Sequence, residues 1–93
     1  MDKEVLDKAI CIYGIDKQLD MAIEEMSELM KEICKKKRGK DNRVEIIEEI
    51  ADVYIMLEQL KIICNITQKE LDDITEIKIK RLNERLENIN DGF

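Results

Sequence analysis

The stretch NRVEIIEEIADVYIMLEQLKIICN, Asn42 to Asn65, carries no proline or glycine and decides how the chain folds. At about 100° per residue, Ile46, Ile50, Val53, Tyr54, Leu57 and Leu60 face one way. Ile55, Met56, Ile62 and Ile63 carry apolar character round the other side. A helix apolar nearly all round is buried, or is covered by another subunit. Yet Glu45, Glu49 and Asp52 lie on the face of Met56 and Ile63, where a plain solvated stripe does not belong.

Signals on either side set the neighbouring elements. Asn42 with Glu45 three residues on predicts a capping box for this helix, which runs to about Asn65. Thr67 with Glu70 repeats the pattern and opens a further helix that fades near Asn90. Upstream, Gly14 ends a short first helix whose apolar positions are Leu6, Ala9, Ile10 and Tyr13. Gly39, after the basic run Lys35 to Arg38, stops a second helix that begins near Asp16. On that second helix Leu19, Ala22, Ile23, Met26, Met30 and Ile33 form one stripe. No linker, repeat or low-complexity segment divides the chain, so residues 1–93 read as one domain. Four helices with short connections predict an all-α, four-helix antiparallel bundle.

Composition narrows the rest. A chain of 93 residues buries only a little over ~60% of its unfolded surface, so the bundle is expected to be completed by oligomerisation. Charged residues at 41%, no proline and three glycines suit long helices. Aromatics at 3% and a net charge of −6 argue against nucleic acid as the partner. No apolar run approaches a membrane span and no leader is visible, which predicts a cytoplasmic protein without a membrane partner. Cys11, Cys34 and Cys64 are widely spaced and the chain has no histidine, so a structural zinc site is not expected. They read as reduced core thiols, and Tyr13 and Tyr54 as packing residues.

The chemistry-bearing residues form two acidic knots and one basic set. Glu25 and Glu28, three apart on the second helix, can reach one point. Glu49 and Asp52 repeat that spacing on the third. Four carboxylates brought together repel and raise one another's pKa unless a cation sits among them. An all-carboxylate set favours Mg²⁺, with Mn²⁺ as an alternative, over zinc or copper. A di-iron centre would ask for histidine, which is absent. On the last helix, Leu71, Ile74, Leu82, Leu86 and Ile89 make an apolar stripe with Lys78 near its middle and Arg81 and Arg85 toward one edge. Cations there are costly unless an anion meets them, and a phosphate held by the metal would do so. The competing reading is plain. Glu24, Glu32, Glu48 and Glu58 are solvated or paired with lysines such as Lys31 and Lys61, and the chain is a non-catalytic helical interaction module.

EEMSEL (Glu24 to Leu29) followed by EEIADV (Glu48 to Val53) resembles the paired E-E-x-x-E and E-x-x-D signature of the MazG-like nucleotide pyrophosphohydrolases, of the all-α nucleoside triphosphate pyrophosphatase superfamily. YGIDKQLDMAIEE and KIKRLNERL are also similar to small members, so the resemblance runs from about Tyr13 to Leu86. It implies a helical homodimer or homotetramer that uses Mg²⁺ to cleave nucleoside or deoxynucleoside triphosphates to monophosphate and pyrophosphate, clearing unwanted nucleotides. Glu25 and Glu28 match its first pair of metal ligands, and Glu49 and Asp52 the second. Lys78 and Arg81 sit where the family's basic residues meet phosphates. Glu24, Glu45 and Gln18 are secondary candidates, Gln18 lying two turns before Glu25 on the same face. The chain lacks the tryptophan on which several relatives stack a base. Phosphoribosyl-ATP pyrophosphohydrolase shares the acidic motifs and ranks second, because VYIMLEQL after Asp52 does not look like that branch.

Overall fold

A computed structural model describes residues 1–91 as four α-helices, with no strand among the described residues. These are α1 (Lys3–Tyr13), α2 (Ile15–Lys37), α3 (Arg43–Ile63) and α4 (Gln68–Asp91). Several boundaries have a local cause. Asp2 caps α1, its Oδ1 accepting from the Val5 N–H at 3.3 Å. Gly14 joins α1 to α2 at φ 92°, ψ 153°, a backbone region open in practice only to glycine. The end of α2 is a Schellman motif: Gly39 (φ 88°) donates to the Lys36 carbonyl at 3.0 Å, and Lys40 to the Lys35 carbonyl at 3.1 Å. The end of α3 repeats it with Asn65 at φ 54°, Ile66 donating to the Lys61 carbonyl at 2.8 Å.

The two expected capping boxes fare differently. At α4 the box forms. The Thr67 N–H donates to Glu70 Oε1 at 3.0 Å and the Glu70 N–H to Thr67 Oγ1 at 3.1 Å, holding the Glu70 carboxyl below its ordinary pKa. At α3 it does not. The buried Asn42 turns away and donates through Nδ2 to the Glu32 carbonyl (2.9 Å) and Glu32 Oε1 (3.2 Å). It straps the last turns of α2 to the start of α3 instead of capping its own helix. Glu32, expected in solvent, is buried, and Lys35 lies 3.0 Å from its other oxygen.

Packing inside the chain is thin. The antiparallel α2–α3 hairpin is the main contact, and α1 lies across both helices. Among the described residues only Leu6, Ala22 and Met56 are buried apolar residues. The buried residues of α2 are Gln18, Ala22 and Glu32; Ala22 belongs to the expected stripe, while Gln18 and Glu32 lie about 100° or more from its middle. Within that stripe, Ile23, Met30 and Ile33 stay exposed, Ile23 by 69%. Cys11, Cys34 and Cys64 are free and exposed, not core thiols, and Tyr13 and Tyr54 are also open within the chain.

The bundle is the larger correction. Among the described residues no Cα of α4 comes within 8 Å of another helix's Cα, so one chain does not close a four-helix bundle. The radius of gyration is 17.1 Å, against roughly 13 Å for a compact chain of about 100 residues. Two open clefts flank α3. One of about 460 Å³ lies against α1 and is lined by Leu6, Ile62 and Ile66 among others. One of about 430 Å³ lies at the α3–α4 junction beside Tyr54, Leu57, Leu60 and Leu71. No helix is long and apolar enough to cross a membrane.

Candidate metal centre

The antiparallel register of α2 and α3 places Glu25 opposite Asp52, one turn from Glu49. Carboxylate oxygens of Glu25, Glu49 and Asp52 all lie within 4.8 Å of one another. Glu25 and Glu49 are half-buried and Asp52 is exposed, so the group opens at the rim of the interface. Its electrostatics are strained in the way carboxylate clusters are. Burial first, then the negative charges of Asp52, Glu49 and Glu24, push the Glu25 carboxyl above its ordinary 4.5, with a hydrogen bond to Asp52 adding to the effect. Glu49 is raised by burial and then by the charges of Asp52, Glu28, Glu32 and Glu48. Glu49 Oε2 is buried without a hydrogen-bond partner. A buried carboxylate oxygen left unpaired is costly, and a cation among these three groups relieves both the repulsion and the orphan. The donors are all hard oxygens, which fits Mg²⁺ or Mn²⁺.

The remaining sequence candidates are placed less tidily. Glu28 stays outside the trio, 3.7 Å from Lys31, and acts on it through charge alone. Glu24 is exposed and bears on Glu25 in the same indirect way. Glu45 is exposed on the first turn of α3. Gln18 is 2% exposed, its Nε2 4.0 Å from Met21 Sδ. Lys78, Arg81 and Arg85 are exposed on α4, which no other helix of the chain approaches. They face no carboxylate of their own chain's hairpin.

Two features escaped the sequence reading. Gln59, 3% exposed, sits in the interface with an unpartnered Oε1. The register that faces Glu25 with Asp52 also sets Gln18 level with Gln59, two turns further along, so the pair was legible once the helices were aligned. The Asn42–Glu32 strap carried no such signal, because Asn before a helix reads first as a cap. Neither cleft includes a member of the carboxylate trio. Comparison with protein-family models, curated proteins and solved structures finds no match to this chain.

Proposed function

We propose that the protein is a Mg²⁺-dependent nucleotide pyrophosphohydrolase that converts a nucleoside or deoxynucleoside triphosphate and water to the monophosphate and pyrophosphate. The observation that carries this reading is the convergence of Glu25, Glu49 and Asp52, with Glu49 also holding a buried oxygen that has no hydrogen-bond partner. The order and spacing of the two acidic motifs give the family resemblance its weight. Glu25, Glu49 and Asp52 would hold the cation, with Glu28 adding negative charge beside it. When bound, Mg²⁺ supplies Lewis acidity and neutralises phosphate charge. The α2–α3 hairpin fixes the three carboxylates on rigid backbone, so little ordering is left for the moment of binding. Lys78 and Arg81 are assigned to the phosphate oxygens. The open apolar faces of α2, α3 and α4 support the reading of a homodimer or homotetramer.

The test is product analysis by anion-exchange chromatography over a panel of ribo- and deoxyribonucleoside triphosphates, with Mg²⁺ and with EDTA. Monophosphate plus pyrophosphate formed only with the metal, and lost in Glu49→Gln, is the expected result. Diphosphate plus orthophosphate means a different phosphohydrolase. No product from the whole panel turns the search to phosphoribosyl-ATP and then to the interaction module.

A further inference from the structure

Asn42 stands at the N-cap of α3 yet gives that helix no side-chain bond, and its Oδ1 is buried without a partner. An asparagine in this place ordinarily caps, which favours the start of a helix. Its hydrogen bonds go to the other helix instead. Nδ2 donates to the Glu32 carbonyl at 2.9 Å and to Glu32 Oε1 at 3.2 Å, with both residues buried. The turn needs neither bond to close, because the Schellman bonds of Gly39 and Lys40 already end α2. So α3 starts uncapped and one buried oxygen stays unpaired while α2 and α3 are tied together.

The tie has a definite place relative to the carboxylates. Glu32 lies seven residues after Glu25, and Asn42 seven before Glu49. Seven residues are nearly two turns, so the tie is on the carboxylates' side of both helices, roughly 10 Å from them along the axis. Farther from the turn, Gln18 stands seven residues before Glu25 and Gln59 seven after Asp52, both buried. Among the described residues, the buried apolar side chains of α2 and α3 are only Ala22 and Met56, one small and one flexible. No ion pair joins the two helices among those residues, since Glu32 and Lys35 both belong to α2. Meanwhile like charges on Glu25, Glu49 and Asp52, with oxygens within 4.8 Å of one another, work to part them.

We propose that Asn42 is a positioning residue: its bonds to Glu32 hold α2 against α3 in the face of that repulsion, and the spacing they hold suits a small divalent cation over a large one. The choice of cation rests on the pyrophosphohydrolase reading; the holding of the hairpin does not. Mg²⁺ asks for oxygens at about 2.1 Å in a near-ideal octahedron, whereas Ca²⁺ accepts about 2.3–2.6 Å and irregular shells. A hairpin free to part therefore forfeits Mg²⁺ first.

The experiment titrates the metal-free full chain with Mg²⁺ and with Ca²⁺ by calorimetry, as wild type, Asn42→Asp and Asn42→Ala. Asn42→Asp keeps the shape and a capping oxygen for α3 but has no N–H to give Glu32. Asn42→Ala removes the bond without adding a charge, so loss of fold in one variant leaves the other to be read. Each is expected to bind Mg²⁺ about tenfold more weakly, with Ca²⁺ within about twofold of wild type. An equal loss for both cations, or no loss for either, overturns the role in choosing between them. Amide exchange in EDTA reads the holding without any cation. Glu25 and Met26 on α2, and Asp52 and Val53 on α3, should exchange about fivefold faster in both variants, with α4 unchanged. Faster exchange confined to the turn and the first residues of α3 would make Asn42 a turn residue alone and overturn the proposal. Wild-type protein that binds neither cation, with exchange spreading as expected, sinks the metal reading and leaves the strap standing.

Discussion

Glu49 shows at the scale of one residue how the site shapes stability. Its carboxyl and that of Glu25 are raised above 4.5 in the folded protein, so the fold prefers them protonated. The stability they contribute is full below pH 4.5 and is lost as pH rises through their folded values. Glu32 and Glu70 act in the opposite sense, their lowered carboxyls costing stability as pH falls below 4.5 toward their folded values. Metal-free protein should therefore lose the contribution of these two groups between pH 4.5 and pH 7.5, and Glu49→Gln should lose less over that range. Mg²⁺ at a hundredfold over its Kd should add about 2.7 kcal/mol to the wild type at pH 7.5. Glu49→Gln should lose most of that gain. Thermal melts across pH, with Mg²⁺ and with EDTA, check both points, and an unchanged Mg²⁺ response in Glu49→Gln would remove Glu49 from the site. The acids were legible in sequence because spacing puts carboxylates on a common helix face whatever the surroundings. The exile of Glu28 and the burial of Gln18 were not. They depend on which side of α2 meets α3, and apolar periodicity indicated the stripe of Leu19, Ala22, Ile23, Met26, Met30 and Ile33, of which only one edge, at Ala22, is buried.

At the scale of the element, the ends of helices are local and so could be read locally. Gly14, Gly39 and the Thr67–Glu70 pair each closed or opened a helix within a residue or two of the expected place. Gly39 sits at φ 88° with open space where a Cβ would go, so Gly39→Ala carries the conformational cost without a clash. A loss of about 1 kcal/mol is expected, measured by urea denaturation. Little or no loss would mean that the turn relaxes out of the Schellman geometry. Thr67→Ala removes one of the two reciprocal bonds that start α4 and should cost about 1 kcal/mol of local helix stability. Because no Cα of α4 comes within 8 Å of another helix's Cα and the Lys61–Gln68 bond ties it only at its first turn, the effect belongs in local amide exchange: about fivefold faster at Glu70 and Leu71, with α2 unchanged. The direction of α4 was not readable from these signals. A short connection predicts antiparallel neighbours, but two fixed helix ends and the Lys61–Gln68 bond set the exit angle first.

At the scale of the molecule, the sequence carries more apolar surface than one chain can bury. Three buried apolar side chains among the described residues are a thin core to set against the conformational entropy of folding. The two-sided apolar character of α3 was the readable sign, and it pointed to a covering surface without saying whose. Ile23, Met30 and Ile33 on α2, with Ile50, Tyr54 and Leu57 on α3, remain for a partner to cover. If association supplies the missing core, folding and assembly are one equilibrium, and the melting temperature must follow protein concentration. Hundredfold dilution of a dimer that folds as it forms should weaken it by about 2.7 kcal/mol, read as a fall of about 5–10 °C for a cooperative unit of two such chains. Replacing Tyr54 by Glu on the open face should deepen that dependence by placing a charge in the covered layer. Sedimentation at the same concentrations gives the complementary reading. A monomer whose melting temperature ignores dilution would mean that these faces are stable in water alone, and the assembly would have to be abandoned.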